Sequence, residues 1–377
     1  MRKLLVLGLI LWCCLPVLAV DQVTVAQLQQ RLAAAHGKSD KYLEHHIANL
    51  QLTERLDHRK LLQLSRSLPG KNSQTALLAI ADASVFLYPP RSEMVMEVGP
   101  PPKTQGEILL RAAQFVAQES HRMPDFLAQR VTTRFQDAKH FPYSTVISYY
   151  TPANFHFFDR RIANLRYVDG KEEEMKPNGH TKRERDITLA PKGLTTWGEF
   201  GPLLDTVMTD VLQSKVGWDW WERTDTGRLA VFRFFVPQEK SHYTVEYCCI
   251  VSPKGATTEF KAMPAYQGEL TIEPETGRVV RVVLKCDLAP KQVITRADVE
   301  LEYGSVDIAG KSYFLPLRGV TASATPTMHY HSVGSDGYTE MDQYVITSIN
   351  DLKFQDYRVF RTEMRILPAD PADKSPQ

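Results

Sequence analysis

Residues 267–286, QGELTIEPETGRVVRVVLKC, decide how the rest of this 377-residue chain is read. Gln267 to Glu273 and Arg278 to Cys286 are two runs rich in β-formers. Pro274-Glu275-Thr276-Gly277 between them is a tight turn, since Pro presets the bend and Gly takes its strained position. The stretch is therefore a β-hairpin. Neighbouring runs repeat the pattern: Leu229 to Val236, His242 to Val251, Asp298 to Tyr303, Ser312 to Pro316, Gly319 to Ala324 and Tyr338 to Asn350. They follow one another without a long helix, so the sheet they form is expected to be antiparallel. Upstream, Gln129 to Phe135, Val146 to Tyr150 and Ile162 to Val168 add strands. Asp169-Gly170 signals another hairpin, and the charged residues 171 to 192 read as a solvated loop.

Residues 22 to 88 read as helical. Four short amphipathic segments succeed one another, with Asp40, Asp57 and Asn72 or Ser73 as caps and Gly37 and Pro69-Gly70 as stops. Pro89-Pro90 ends this region, and Gly99-Pro100-Pro101-Pro102 is a stiff linker. Gln105 to Ser120 is one further helix. Another begins at Pro202, which a first helical turn accepts, and carries Leu203, Val207, Met208 and Val211 on one face. The expected architecture is α+β: an N-terminal helical bundle over residues 20–96, a Pro-rich linker over 97–104, and a β-rich domain over 105–366. A Pro-containing tail, 367–377, is expected to be disordered.

The start of the chain, MRKLLVLGLILWCCLPVLAVDQ, has a basic pair, an apolar run from Leu4 to Cys14 broken by Pro16, and small or medium side chains at Val17-Leu18-Ala19. That is the pattern of a secretory signal peptide over residues 1–19, and the run is too short to span a bilayer. The expected location is the periplasm or the exterior. A membrane anchor and a lipid-modified Cys13 or Cys14 are the alternatives, the second disfavoured by the bulk of Trp12. No other apolar run approaches the length of a membrane helix. The formal charge of +1 becomes −1 when Arg2 and Lys3 are removed. A nearly neutral chain with no basic stripe excludes an electrostatic case for nucleic acid. Cys248, Cys249 and Cys286 then remain, an odd number. Cys286 is expected not to pair with Cys248 or Cys249, because their strands would flank a third in a meander.

Several stretches resemble a family of exported acidobacterial proteins: Leu50 to Leu56, Ala76 to Pro90, Ser241-His242-Tyr243, Tyr266 to Gly277 and Val299 to Gly304. The resemblance implies export and no particular activity. The β-rich half is also similar in layout to lipoprotein carriers of the LolA type. That likeness implies a curved antiparallel half-barrel sheet with covering helices and an apolar concave face, but carries no ligand residue over to this chain.

Catalytic and cofactor motifs are missing. There is no G-x-S-x-G, no H-E-x-x-H, no G-x-G-x-x-G, and Gly310-Lys311-Ser312 lacks the glycine a phosphate loop needs. His329 and His331 share a strand face and, with Glu340 or Asp342, could ligate a metal; two ordinary histidines in a loop is the plainer reading. His242 reads as structural, because Ser241 and Tyr243 face away from it. The densest signal is aromatic. Trp218, Trp220, Trp221, Phe232 and Phe234 lie within a short span, and strict alternation puts Trp218 with Trp220 and Trp221 opposite. These five are the candidate lining of an apolar ligand cup, against the simpler role of core. The first functional expectation is a non-enzymatic carrier of a lipid or other apolar ligand, without cofactor or metal. The others are an interaction module with an envelope protein partner, and an enzyme with a dispersed site.

Overall fold

The computed structural model describes residues 21–95, 97–137, 155–175, 193–195, 198–225, 227–251, 257–289, 292–333 and 338–359. The signal segment, the tail and the predicted strand at 146–150 lie outside them. The described chain is a mixed α+β fold with six helices and an open antiparallel sheet of 11 strands.

The N-terminal part holds four helices, α1 (Val25–Ala34), α2 (Asp40–Ala48), α3 (His58–Ser67) and α4 (Lys71–Ser84). It is not helical throughout. β1 (Asp21–Val23) pairs in parallel with β2 (Leu50–Leu52), where Leu50 and Leu52 point inward and Gln51 outward. Three residues alternating about one polar position are too few to stand out from the helical spacing around them. Leu28, Ile47, Leu61 and Leu77 join Leu50 and Leu52 in one core. Asp57 caps α3 as its sequence position suggests. The N-cap of α2 is Ser39 instead, and α4 starts at Gly70 with no cap of its own. Asp40 serves α4 from outside, accepting from the amides of Asn72 (3.2 Å) and Ser73 (2.9 Å).

A short β3 (Met94–Val95) leads into α5 (Pro102–Arg122), which takes Pro102 as its first residue. Then come β4 (Phe126–Gln136), β5 (His156–Val168), β6 (Lys171–Glu174), β7 (Gly193–Thr195), α6 (Pro202–Leu212), β8 (Lys215–Thr224), β9 (Gly227–Val236), β10 (Val245–Val251) and β11 (Thr257–Ala262). The chain continues through β12 (Ala265–Ile272), β13 (Val279–Asp287), β14 (Arg296–Ile308), β15 (Lys311–Val333) and β16 (Tyr338–Val359). The large sheet runs β3-β8-β9-β12-β13-β14-β15-β16-β4-β5-β6, and β11-β10-β7 form a separate small sheet.

The hairpin at 267–286 is β12 and β13, with Gly277 at φ +78° in its turn. A Cβ on Gly268 would lie 1.7 Å from the Val283 carbonyl oxygen, so the tight crossing of these strands requires glycine. β5 and β6 form the hairpin expected at Asp169-Gly170, both with positive φ. The start of the charged stretch is thus strand rather than loop. β15 absorbs the two strands read separately around Pro316: the proline sits where the pairing with β14 slips, and a slip tolerates its missing N–H.

One expectation about strand order fails. β10 is not a neighbour of β12, which lies between β9 and β13. The conclusion drawn for the cysteines survives on other grounds: Cys286 is a free thiol and Cys248 is disulfide-bonded. The side chain of Cys249 lies outside the described residues.

The two faces of the sheet are covered differently. On one, α5 and α6 supply Ile108, Ala112, Val207 and Val211 against Phe232, Leu270, Val282, Leu284 and Leu301. Tyr247 of the small sheet joins this core and accepts from Thr325 of β15 at 3.0 Å. On the other, α4 brings Ala79 and the following Val85 and Phe86 against Phe135, Val283, Val320, Ala322 and Ile349.

Candidate functional site

The aromatic cluster is divided by a β-bulge. Trp218 pairs with Phe232 and Trp220 with Val231, so the register slips at Asp219. The extra residue reverses the expected alternation. Trp218 and Trp221, not Trp218 and Trp220, share a face: their rings are 4.6 Å apart, and Trp218 sits edge-on to Phe232 at 5.5 Å. Phe232 and Phe234 are fully buried in the helix-covered core, with Phe234 against Tyr266. Trp220 is buried on the opposite face, 5.6 Å from Tyr88. The five residues therefore do not converge on one cavity. Trp221 lines an open cleft of about 610 Å³ with Ile108, Arg111, Arg228 and Pro274.

The second face of the sheet carries what composition alone hides. Cross-strand register aligns Arg281 (β13), Glu302 (β14) and Arg318 (β15) in one row. Val283, Glu300, Val320 and Asp351 form the next, and Lys285, Asp298, Ala322 and Ile349 the third. The helical layer answers the charges. Arg55 donates to Glu222 at 2.8 Å, and Arg281 reaches the same carboxylate at 2.9 Å. Arg318 bridges Asp82 of α4 and Asp351 of β16, the latter at 2.9 Å. All of these side chains are buried or nearly so.

These carboxyls do not titrate alike. Burial alone would raise Glu222, but Arg281 and Arg55 outweigh it and hold the group down at about 2. Glu300 has no guanidinium in hydrogen-bond contact among the described residues. Burial, then the neighbouring Glu302, pushes it up to about 8 against the pull of Arg318 and Arg281. Burial likewise raises Asp82 well above the usual carboxylate range, despite Arg318.

Beyond this ionic layer the third row opens into a cleft of about 620 Å³ between the helical part and the sheet. Leu50, Leu52, Ile80, Phe86, Ala322 and Ile349 give it apolar walls. Lys285, Arg296 and Asp298 stand at one side and Asp137 at the other. Arg296 donates to Asp298 at 2.6 Å and stacks over the Phe86 ring at 5.3 Å. A smaller cleft of about 190 Å³ adjoins it and shares Phe86, Leu87 and Lys285. None of these residues stood out in the sequence. The available signal was charge on one face of two strands, Arg281 and Lys285 about Val283 on one and Asp298, Glu300 and Glu302 on the next.

Two other polar groupings are structural. His242 Nδ1 lies 2.5 Å from Asp210 Oδ1, and Asp210 also accepts from the His242 amide (2.9 Å) and the Tyr266 hydroxyl (2.8 Å). This ties the segment before β10 to α6. Arg130 sits 3.6 Å from Glu199 and 3.9 Å from Glu172 inside the apolar core. Burial and then Glu199 raise Glu172 well above its usual range. His329 and His331 lie in β15 opposite Asp342 and Glu340 of β16 in backbone register; their side chains lie outside the described residues. Among the described residues no group of three His, Cys, Asp or Glu is placed to hold a metal ion, and no helix is long and apolar enough to cross a membrane. No protein-family model matches the chain, and comparison with the curated proteins and with the solved structures gave no match either.

Proposed function

We propose that the protein is an exported, non-enzymatic binding protein for an apolar ligand, working in the periplasm or outside the cell. In this reading α1–α4 are a helical bundle lying as a cover on a curved, half-barrel sheet. The ligand sits between the two. The interlayer cleft carries the proposal: its volume falls within the range of small-molecule sites, and it combines an apolar wall of Leu50, Leu52, Ile80, Phe86, Ala322 and Ile349 with polar and charged groups such as Gln51, Thr53, Lys285 and Asp137. The aromatic cluster supports the sheet beneath rather than lining the seat.

The test is native mass spectrometry of protein purified from its own envelope, with organic extraction of what copurifies. Ala322→Trp, which fills the cleft, is expected to abolish copurification and the binding of an apolar dye. If the wild type carries nothing and binds no dye, the proposal fails. A second reading, an interaction module of the envelope, is favoured by β5, where Phe157 and Ile162 are 51% and 59% exposed. Phe157→Asp would then weaken capture of an envelope protein while leaving dye binding untouched.

A further inference from the structure

Lys285 is placed where the two adjoining clefts meet. Its ammonium donates to the Phe86 carbonyl oxygen at 2.9 Å, and among the described residues no carboxylate lies within ion-pair distance of it. An ammonium has three donors, so two remain for an occupant. The cations around it are already used. Arg296 is matched by Asp298, and Arg281 is committed to Glu222. Asp298, the cross-strand neighbour of Lys285, feels its charge but makes its ion pair with Arg296, so Lys285 has no salt bridge of its own among the described residues.

Away from Lys285 the wall turns apolar at Ala322 and Ile349, before Asp137 and Thr347 at the far side. From Lys285 the paired row crosses Asp298 and Ala322 to Ile349. That is three strand steps, about 14 Å at the usual strand spacing. Leu50, Leu52 and Ile80 face the same space from the helical layer. The site thus has a cationic head position and, past Asp298, an apolar wall at Ala322 and Ile349 that Leu50, Leu52 and Ile80 face. Asp298 beside Lys285 disfavours a doubly charged head such as a phosphate monoester, by like-charge repulsion in a partly buried place.

We propose that the ligand is a long-chain carboxylate, its head on the Lys285 ammonium and its chain along Ala322 and Ile349. This rests on the binding reading above and names its ligand class. The experiment measures binding of palmitate, of the primary alcohol of the same chain and of its phosphate monoester, by displacement of an apolar dye. Wild type, Lys285→Gln and Lys285→Arg are compared, with thermal melts to show that each is folded. Lys285→Gln keeps a donor for the Phe86 carbonyl and removes only the charge.

The expected result is at least tenfold tighter binding of palmitate than of the alcohol or the phosphate. Lys285→Gln should lose that preference with alcohol binding unchanged, and Lys285→Arg should retain it. Equal binding of acid and alcohol by the wild type overturns the head assignment and leaves the binding proposal standing. So does a uniform loss for all three ligands in Lys285→Gln. Displacement by none of the three, with the dye itself unbound, overturns both.

Discussion

The two faces of the large sheet solve the same packing problem with opposite chemistry. One meets α5 and α6 through Phe232, Leu270, Val282 and Leu301. The other meets the helical layer through Arg281, Glu222, Arg318 and Asp82 around a small apolar patch. Apolar contact is non-directional and gains free energy in proportion to area. Buried ion pairs gain little net free energy but punish any misplacement, since an unmatched buried charge is costly. The first face makes the sheet stable; the second fixes where the cover sits on it. A cover positioned by a few ion pairs can leave a cleft beside them, which a continuous apolar interface would close.

The sharpest way to break this comparison is to remove one residue from each face. Phe232→Ala should cost about 3–5 kcal/mol by cavity formation, and Arg318→Met a similar amount by stranding Asp82 and Asp351. The difference lies in rescue. Adding Asp82→Leu and Asp351→Leu to Arg318→Met should recover most of the loss in a urea melt, because an apolar trio replaces a buried ionic one. No second change on the ionic face should recover Phe232→Ala. If the triple variant is no more stable than Arg318→Met, the second face is not acting through charge pairing.

The pH dependence separates the members of the ionic layer. Glu222, held at about 2 against an ordinary value near 4.5, contributes stability that is present above pH 4.5 and lost as the pH falls toward 2. The loss is about 3 kcal/mol by linkage. Glu300, raised to about 8, works the other way: its contribution is complete below about pH 4.5 and disappears as the pH rises through 8. Denaturation measured from pH 4 to 9 should show the alkaline decline in the wild type and a flatter profile in Glu300→Gln. An unchanged profile would show that Glu300 does not titrate in that window.

A smaller effect concerns the cover alone. Asp40→Ala removes the acceptor that α2 lends to the start of α4 and should loosen that helix start. Hydrogen exchange should quicken at Asn72 and Ser73 and leave β12 and β13 unchanged. Equal loosening of both would mean that cover and sheet open as one unit.

The part of this architecture visible in the sequence is the part set by local rules. The 267–286 hairpin, the Asp169-Gly170 turn, the Asp57 cap and the Pro202 helix start each depend on a few adjacent residues. The bulge at Asp219 does not, because nothing in alternation marks where one residue will be skipped. That single skip moved Trp221 beside Trp218 and sent Trp220 to the other face. The candidate cleft was less legible still. Lys285, Ala322 and Ile349 become a row only when four strands pair in register, and strand register is not written in any one strand.

Strand order also sets a timetable. β4 and β5 occupy the far side of β16, and Gln136 bonds Ser348 across 212 residues of chain. Chain growth delivers β4 long before the strand it pairs with on its inner side. Until residues 338–359 emerge, one rim of β4 stays open, a template for any other extended chain nearby. The sheet is therefore complete only once residue 359 has been made. Slow folding, with aggregation as the competing outcome, is expected from this topology.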